Sequence, residues 1–147
     1  MVGEIFLIVL SGVAVFVAGQ IFVKFAIDPI NNFYKLTGEI GHSLIYYSNV
    51  YNNTRQAKPE AVEEAHRLFR RQSSDLFARA YAIPFLSVWA TIHLLPPRND
   101  VMKAASNLIG LSNGVHDTTD RAYEANMNRR MAIERQLRLQ IYFDEYQ

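Results

Sequence analysis

The sequence predicts an all-α protein in which a single amino-terminal transmembrane helix precedes a small antiparallel helical bundle. Two patterns favour this fold: an uncharged apolar run near the start, and apolar residues that recur every three or four positions further on. No segment shows the alternation and hairpin turns of β-strands. We therefore divide the 147 residues into an anchor, residues 1–27, and a cytoplasmic helical domain, residues 28–147.

The composition narrows the chemistry that the chain can carry. It contains no cysteine, which excludes disulfides, thiolate nucleophiles and cysteine-based metal centres. Lys and Arg number 15 against 14 Asp and Glu, so the net charge of +1 gives no general attraction for nucleic acid. We expect no cofactor and no nucleic-acid partner.

The anchor is predicted from residues 5–23, IFLIVLSGVAVFVAGQIFV, which carry no charge. At 1.5 Å per residue, residues 5–27 would extend about 34 Å as a helix, enough for a hydrocarbon core of about 30 Å. A cleaved signal peptide is the alternative, but such a peptide starts with basic residues and the first four here, MVGE, include none. We therefore expect a retained span.

Basic residues near the span predict its orientation. None precedes it, whereas Lys24 and Lys35 follow it. Because Lys and Arg are enriched on the cytoplasmic side of membrane helices, we expect the amino terminus outside and residues 28–147 in the cytoplasm.

Small residues within the span predict a contact with another membrane helix. They permit close approach of two helices, and an amide can hydrogen-bond across the pair. The predicted interface consists of Ser11, Gly12, Ala14, Ala18, Gly19 and Gln20. The alternative is that these small residues have no partner, since they are common in any membrane helix, and that Gln20 is hydrated near the interface.

After the span, Asp28 and Pro29 have the form of an N-cap and a first-turn proline, which predicts a break and a new helix. A polar loop at 52–58 and Pro59 then introduce a second helix, expected to pair with the first as an antiparallel hairpin. The first helix presents an apolar stripe of Ile30, Phe33, Thr37, Ile40, Leu44, Tyr47 and Tyr51. The facing stripe consists of Val62, Ala65, Phe69, Leu76, Ala80 and Ile83.

The segment FLSVWATIHLL, residues 85–95, lies between Pro84 and the pair Pro96-Pro97. It is too short to cross a bilayer as a helix. Two placements remain open, a helix in the core or a helix lying in the membrane interface. In either placement, one side is predicted to carry Phe85, Val88, Trp89, Ile92 and Leu95.

Two further helices are predicted. Residues 101–112 place Val101, Ala104, Ala105, Leu108 and Leu111 on one side, and Asn113-Gly114 supplies a stop. Residues 117–120, DTTD, resemble the capping start of a helix that extends to about Tyr142. Its bundle contacts would be Ile133, Leu137 and Ile141. A solvated face is predicted for Arg129, Arg130, Glu134, Arg135 and Arg138.

Two E-x-x-H pairs provide the most specific chemical pattern, Glu39 with His42 and Glu63 with His66. Di-metal bundle enzymes use such pairs on facing helices, with all ligands pointing inward. Here the apolar stripes direct His42 away from the core and leave Glu63 and His66 beside it. We therefore predict no metal site and keep a di-metal enzyme as a third hypothesis.

Ser112, His116 and Asp117 also suggest a hydrolase, but they fall in one short turn without the strand-turn-helix context of a nucleophile elbow. Helix capping is the interpretation that we adopt for them.

Arginines cluster around Phe69 in the run HRLFRR, residues 66–71. Most such clusters are solvated faces, but next to a membrane they can bind lipid phosphates. The predicted headgroup contacts are Lys24, Arg67, Arg70, Arg71 and Trp89.

Residues 27–51, IDPINNFYKLTGEIGHSLIYYSNVY, and residues 104–115, AASNLIGLSNGV, resemble a family of small bacterial proteins. Its members have one amino-terminal transmembrane helix and a helical cytoplasmic domain. The resemblance implies a bacterial inner-membrane location and this architecture, but it implies no activity and no site residues.

The leading functional hypothesis is a non-catalytic accessory or scaffold subunit that docks to itself or to a larger inner-membrane complex. It rests on the anchor and on the absence of a catalytic motif. The alternative is a membrane-perturbing effector, holin-like or acting in phage defence, in which the segment 85–95 enters the interface.

Overall fold

The computed structural model describes residues 2–139, and these contain helices without strands, which confirms the all-α prediction. The predicted contact Ile141 and the predicted helix end at about Tyr142 lie outside the described residues. The helices are α1 (Val2–Phe22), a π-helical turn (Val23–Ile27), α2 (Asp28–Tyr46), α3 (Ser48–Asn52), α4 (Pro59–Ala82), α5 (Leu86–Thr91), α6 (Arg98–Gly114) and α7 (Ala122–Leu137).

The helix is continuous through the junction between α1 and α2, so the prediction that Asp28 caps a new helix is wrong. Asp28 is helical, at φ −59° and ψ −45°, and its N–H donates to the carbonyl oxygen of Val23. That bond spans five residues and defines a π turn, a common way for a helix to change course without ending. Pro29, which lacks an N–H, follows immediately, and the helix runs on from Val2 to Tyr46.

The two halves of this 45-residue helix have opposite environments. No residue of α1 is buried, although the helix is almost entirely apolar. Within residues 2–139, Val2–Tyr46 is the one helix long and apolar enough to cross a membrane. In α2, by contrast, the apolar stripe enters the core.

The core confirms the predicted stripes of the bundle helices. All seven residues assigned to the first stripe are buried, from Ile30 to Tyr51, as are the five assigned to α6. On α4, Val62 is only partly buried while the remaining five stripe residues are buried.

Helix α2 packs against α4, as the predicted hairpin requires, but α4 has a larger contact with α6 that was not predicted. Helix α2 ends at Tyr46 and the short α3 follows, while α4 packs mainly against α6, and α6 against α7. The hydroxyl of Ser73 on α4 donates to the carbonyl oxygen of Ala105 on α6 at 2.7 Å. Helix α2 covers a further side of α4, where Gln72 Nε2 donates to the hydroxyl of Ser43 at 2.7 Å.

Long-range hydrogen bonds define the end of the domain nearest α1, which we call the anchor end. Arg79 donates to the carbonyl oxygen of Asn32 at 2.6 Å, and the hydroxyl of Tyr34 donates to the carbonyl oxygen of Leu94. Arg138 donates to the carbonyl oxygen of His93 at 2.9 Å. The anchor end therefore consists of residues 28–35, 79–98 and 138.

Candidate functional site

Helix α5 exposes apolar side chains at the anchor end. Leu86 is buried in the core, whereas Phe85, Val88 and Ile92 are 78%, 55% and 61% exposed. Phe85 precedes the first residue of α5 and Ile92 follows the last, so only Val88 of the three lies within the helix itself. We call these three residues the α5 apolar face. The prediction that Leu95 shares a side with these residues is wrong, because Leu95 is buried in the core.

The segment that carries α5 is held by hydrogen bonds at both ends. Phe85 adopts a left-handed backbone conformation, φ 53°, so the chain turns sharply after Pro84. The indole N–H of Trp89 donates to the carbonyl oxygen of Pro84 at 3.0 Å, and Leu94 accepts from Tyr34. Trp89, a predicted headgroup contact, is half-buried beside the core at this end.

Basic side chains lie at the same end of the domain as the α5 apolar face. The guanidinium of Arg98 lies over the ring of Tyr81, 5.2 Å from its centroid. The guanidinium of Arg79 is held by Asn32 at the anchor end. The complete basic set at or beside this end is Lys24, Lys35, Arg79, Arg98 and Arg138, and the acids there are Asp28 and Asp100.

The arginines predicted to contact lipid, by contrast, lie far along α4. The rings of Phe69 and Tyr47 are 6.0 Å apart, which places this part of α4 level with Tyr47. Tyr47 is twenty residues past Ile27, or about 30 Å along the helix axis. Arg67 pairs there with Glu63 at 3.1 Å. The structure does not bring Arg67, Arg70 and Arg71 together with Lys24 and Trp89.

The small residues of α1 leave one part of its surface open. A Cβ placed on Gly12 or Gly19 would meet no atom within 4 Å. The hydroxyl of Ser11 donates to the carbonyl oxygen of Ile8 at 2.8 Å, so it needs no partner on another helix. A second helix could therefore approach α1 closely at these residues, but no hydrogen-bonding group of Ser11 requires one.

A groove between α4 and α6 is a feature that the sequence analysis missed. Its walls include Phe77, Met102 and Ile109, which are 45%, 37% and 41% exposed. Tyr81 stacks on Phe77 with ring centroids 6.3 Å apart and extends the apolar surface towards the anchor end. The predicted stripes assigned each of these helices one buried side and contained no signal for a second apolar side.

No family model, curated protein or solved structure matches this chain.

The E-x-x-H residues do not converge. His42 is exposed and its ring stacks with Tyr46, with centroids 5.9 Å apart. Glu63 pairs with Arg67 on the surface of α4. Glu39 is exposed on α2. Among residues 2–139 there is no group of three or more His, Asp or Glu side chains that could hold a metal ion.

His66 instead joins α4 to α6. Its Nδ1 lies 2.8 Å from the carbonyl oxygen of Ser112 and 3.1 Å from the hydroxyl oxygen of the same residue. Because a carbonyl oxygen only accepts, Nδ1 carries the proton and cannot act as a base towards the hydroxyl. Ser112 is fully buried, so this pair is a structural contact and not a nucleophile with its base.

Asp117 caps a turn and not α7, so its predicted role as the start of that helix is wrong. Its carboxylate accepts the backbone N–H of Thr119 at 2.9 Å, and this hydrogen bond lowers the pKa of Asp117. Helix α7 begins only at Ala122, because residues 117–120 are held by the loop before α4. Thr54 donates to the carbonyl oxygen of Asp117 at 2.6 Å.

The prediction of a solvated charged face on α7 is wrong for the two residues at its centre. Arg130 and Glu134 pair at 2.6 Å with side chains only 15% and 18% exposed. They lie near Tyr51, because α7 packs against α3. Burial raises the pKa of the Tyr51 hydroxyl to about 12, and its O–H donates to the carbonyl oxygen of Leu44 at 2.6 Å.

Proposed function

We propose that this protein is a non-catalytic, membrane-anchored accessory or scaffold subunit that docks to itself or to a larger inner-membrane complex. The continuous helix Val2–Tyr46 carries the proposal. Its first half is apolar and exposed, as lipid requires, and α2 in its second half supplies eight buried residues. Because the helix has no flexible linker, the domain is held at a fixed position relative to the membrane.

The domain in this proposal is an antiparallel bundle. Sequence positions descend on α6 as they ascend on α4: His66 contacts Ser112, and Ser73 contacts Ala105. The same holds between α6 and α7, where Asn107 donates to Gln136 at 3.1 Å. A bundle of this kind provides rigid outer faces for a partner to bind.

Two surfaces support docking. The open small-residue surface of α1 suits a second membrane helix, because neither Gly12 nor Gly19 meets a neighbour within the chain. The groove of Phe77, Met102 and Ile109 suits a protein partner on the cytoplasmic side. The basic residues that flank the membrane exit, Lys24 and Lys35, support the proposed cytoplasmic side for the domain.

Sidedness can be tested because the chain contains no cysteine. A Thr118→Cys variant places a single thiol on an exposed loop at the far end of the domain. We expect a membrane-impermeant maleimide to label it only after the cells are broken. Labelling in intact cells would place the domain outside and overturn the orientation.

The docking proposal is tested by isolating the full-length protein in mild detergent and measuring its mass in solution. We expect a complex, and we expect the double substitution Ala14→Leu with Ala18→Leu to reduce it, because larger side chains separate the helices. The matched control is Phe6→Leu with Val17→Leu, which lie on the side of α1 that carries none of the predicted interface residues. A lone monomer without co-purifying protein, or equal loss in both variants, would contradict the proposal.

The α5 apolar face favours a second candidate, the membrane-perturbing effector. In that function, induced expression would make cells leak a small dye. The scaffold predicts intact membranes at the same expression level. Leakage that depends on Phe85, Val88 and Ile92 would decide for the effector.

A further inference from the structure

We infer that α5 is a second membrane contact, in which Phe85, Val88 and Ile92 enter the interface of the same bilayer that holds α1 and nearby arginines meet anionic lipid phosphates. This inference rests on the membrane anchoring proposed above. It adds a site to that anchoring, and it would fix how the domain is oriented on the membrane.

The first observation that supports this membrane contact is the position of α5 along the anchoring helix. Arg79 contacts Asn32 and Leu94 accepts from Tyr34, so the residues flanking α5 lie beside the first two turns of α2. Asn32 and Tyr34 are five and seven residues past Ile27, or about 7–11 Å along the helix axis. Interfacial helices insert their apolar faces about 5–10 Å into the boundary between headgroups and acyl chains. The segment therefore lies within reach of the interface.

The second observation is the exposure of the apolar side chains in and beside α5. Leu86 and Leu95 are buried in the core and fix which side of the segment faces the domain. Phe85, Val88 and Ile92, in contrast, are more than half exposed. Nothing else in residues 2–139 covers them, and water is an unfavourable environment for three adjacent large apolar groups.

The third observation is the excess of basic side chains at the anchor end. Lys35, Arg79, Arg98 and Arg138 lie at the anchor end, where the acids at or beside it are Asp28 and Asp100. Anionic headgroups attract basic side chains within a Debye length of the surface, about 8–10 Å. An apolar face flanked by basic side chains matches an anionic bilayer surface.

The size of the face argues against a second copy of the chain as its occupant. Stable protein interfaces bury about 800 Å² on each partner, with roughly 20–30 residues a side. The α5 apolar face has three residues. A bilayer needs no such area here, because α1 already holds the domain beside it.

The experiment uses full-length single-cysteine variants, each labelled with an environment-sensitive fluorophore and placed in lipid nanodiscs. The discs contain phosphatidylcholine with phosphatidylglycerol, and some lipids carry a nitroxide quencher on the acyl chain near the headgroup. Ile92→Cys probes α5 and Val13→Cys probes the anchor. The matched control is Ile109→Cys, an exposed isoleucine on the part of α6 remote from the anchor end.

We expect the fluorophores at positions 92 and 13 to be quenched by the lipid nitroxide, with quenching at 92 at least about twofold stronger than at 109. Quenching at 13 with equal quenching at 92 and 109 would overturn the α5 contact and leave the anchoring intact. No quenching at 13 would overturn the anchoring and the inference with it.

Two further comparisons complete the test. Discs that hold one copy should give the same quenching at 92 as discs that hold two, because the occupant is lipid. Protection of position 92 only in two-copy discs would show a protein contact and overturn the inference. Discs of phosphatidylcholine alone should quench position 92 less, and equal quenching in both lipids would overturn the role of the basic residues.

Discussion

The backbone of Gly114 lies against the side chain of Asn126, so closely that a Cβ on Gly114 would stand 1.9 Å from Asn126 Oδ1. Asn126 is fully buried, and its Nδ2 donates to the carbonyl oxygens of Gly114 at 3.0 Å and of Tyr51 at 2.9 Å. One amide therefore joins the ends of α3 and α6 to α7. The glycine is needed for this approach and not for a left-handed backbone, since none of the described glycines has a positive φ.

Replacing Gly114 with alanine should destabilise the domain. The added methyl would have to displace a buried amide that makes three hydrogen bonds, and overpacking of this kind costs about 1–3 kcal/mol. Chemical unfolding of the full-length protein in mild detergent, followed by circular dichroism, measures the loss.

The control for this substitution is Gly38→Ala on α2. A Cβ at Gly38 meets nothing within 4 Å, and alanine is the better helix former by about 1 kcal/mol. We expect this variant to be as stable as the natural protein or more so. If Gly114→Ala were equally harmless, the close contact with Asn126 would be wrong.

Tyr51 should make the fold sensitive to alkali. Its pKa is raised to about 12 because burial penalises the phenolate, whereas the unfolded chain has a value near 10. The stabilising contribution is therefore complete below pH 10 and is lost as the pH rises from 10 to 12, by up to about 1.4 kcal/mol per pH unit.

The substitution Tyr51→Phe isolates this effect. At neutral pH it removes the hydrogen bond to Leu44 and should cost about 1 kcal/mol. Between pH 10 and 12 the unfolding free energy should fall less steeply than in the natural protein. Parallel curves for the two proteins in that range would show that Tyr51 does not titrate with a raised pKa.

Two ion pairs of similar length should differ in their contribution to stability. Arg130 and Glu134 pair at 2.6 Å and are mostly buried, whereas Arg55 and Asp120 pair at 2.7 Å with side chains 63% and 91% exposed. We expect Glu134→Gln to cost about 1–3 kcal/mol, because it leaves a charge that is poorly solvated. Asp120→Asn should change stability by less than about 0.5 kcal/mol, since water screens the pair. Unfolding curves of both variants provide the comparison, and the opposite ranking would contradict the burial of the Arg130 pair.

The hydroxyl of Tyr34 should control how firmly the segment 85–95 is held. Tyr34→Phe removes its hydrogen bond to Leu94, worth about 0.5–1.5 kcal/mol, while the ring remains. Hydrogen exchange measured by mass spectrometry should become faster in peptides covering 85–95 and stay unchanged in α6. Equal acceleration in both regions would indicate general destabilisation instead.

The sequence predicted most of the helical elements, because each is a local pattern. The stripe from Ile30 to Tyr51 is buried as expected, and α4 begins at Pro59 as predicted. Prolines at 84, 96 and 97 correctly separated α5 from its neighbours. Periodicity succeeds here because every third or fourth residue of a helix faces the same side, whatever that side touches.

The candidate sites were predicted less well, because they join residues that are distant in the chain. Asn126 contacts Tyr51 across 75 positions, and Tyr34 contacts Leu94 across 60. His66 has the spacing of a metal ligand but binds Ser112, and Gly114 has the position of a helix stop but makes room for an amide. No local pattern contains the partner of such a residue.

By itself, the sequence determined the all-α class and an amino-terminal helix apolar enough to cross a membrane, since hydropathy and helical periodicity are properties of neighbouring residues. Only the tertiary structure decided that α4 pairs with α6, that the helix continues through Asp28, and that α5 turns Phe85, Val88 and Ile92 away from the core. These outcomes depend on which distant surfaces bury most area and satisfy most hydrogen bonds together, a competition that is settled only when the whole chain packs.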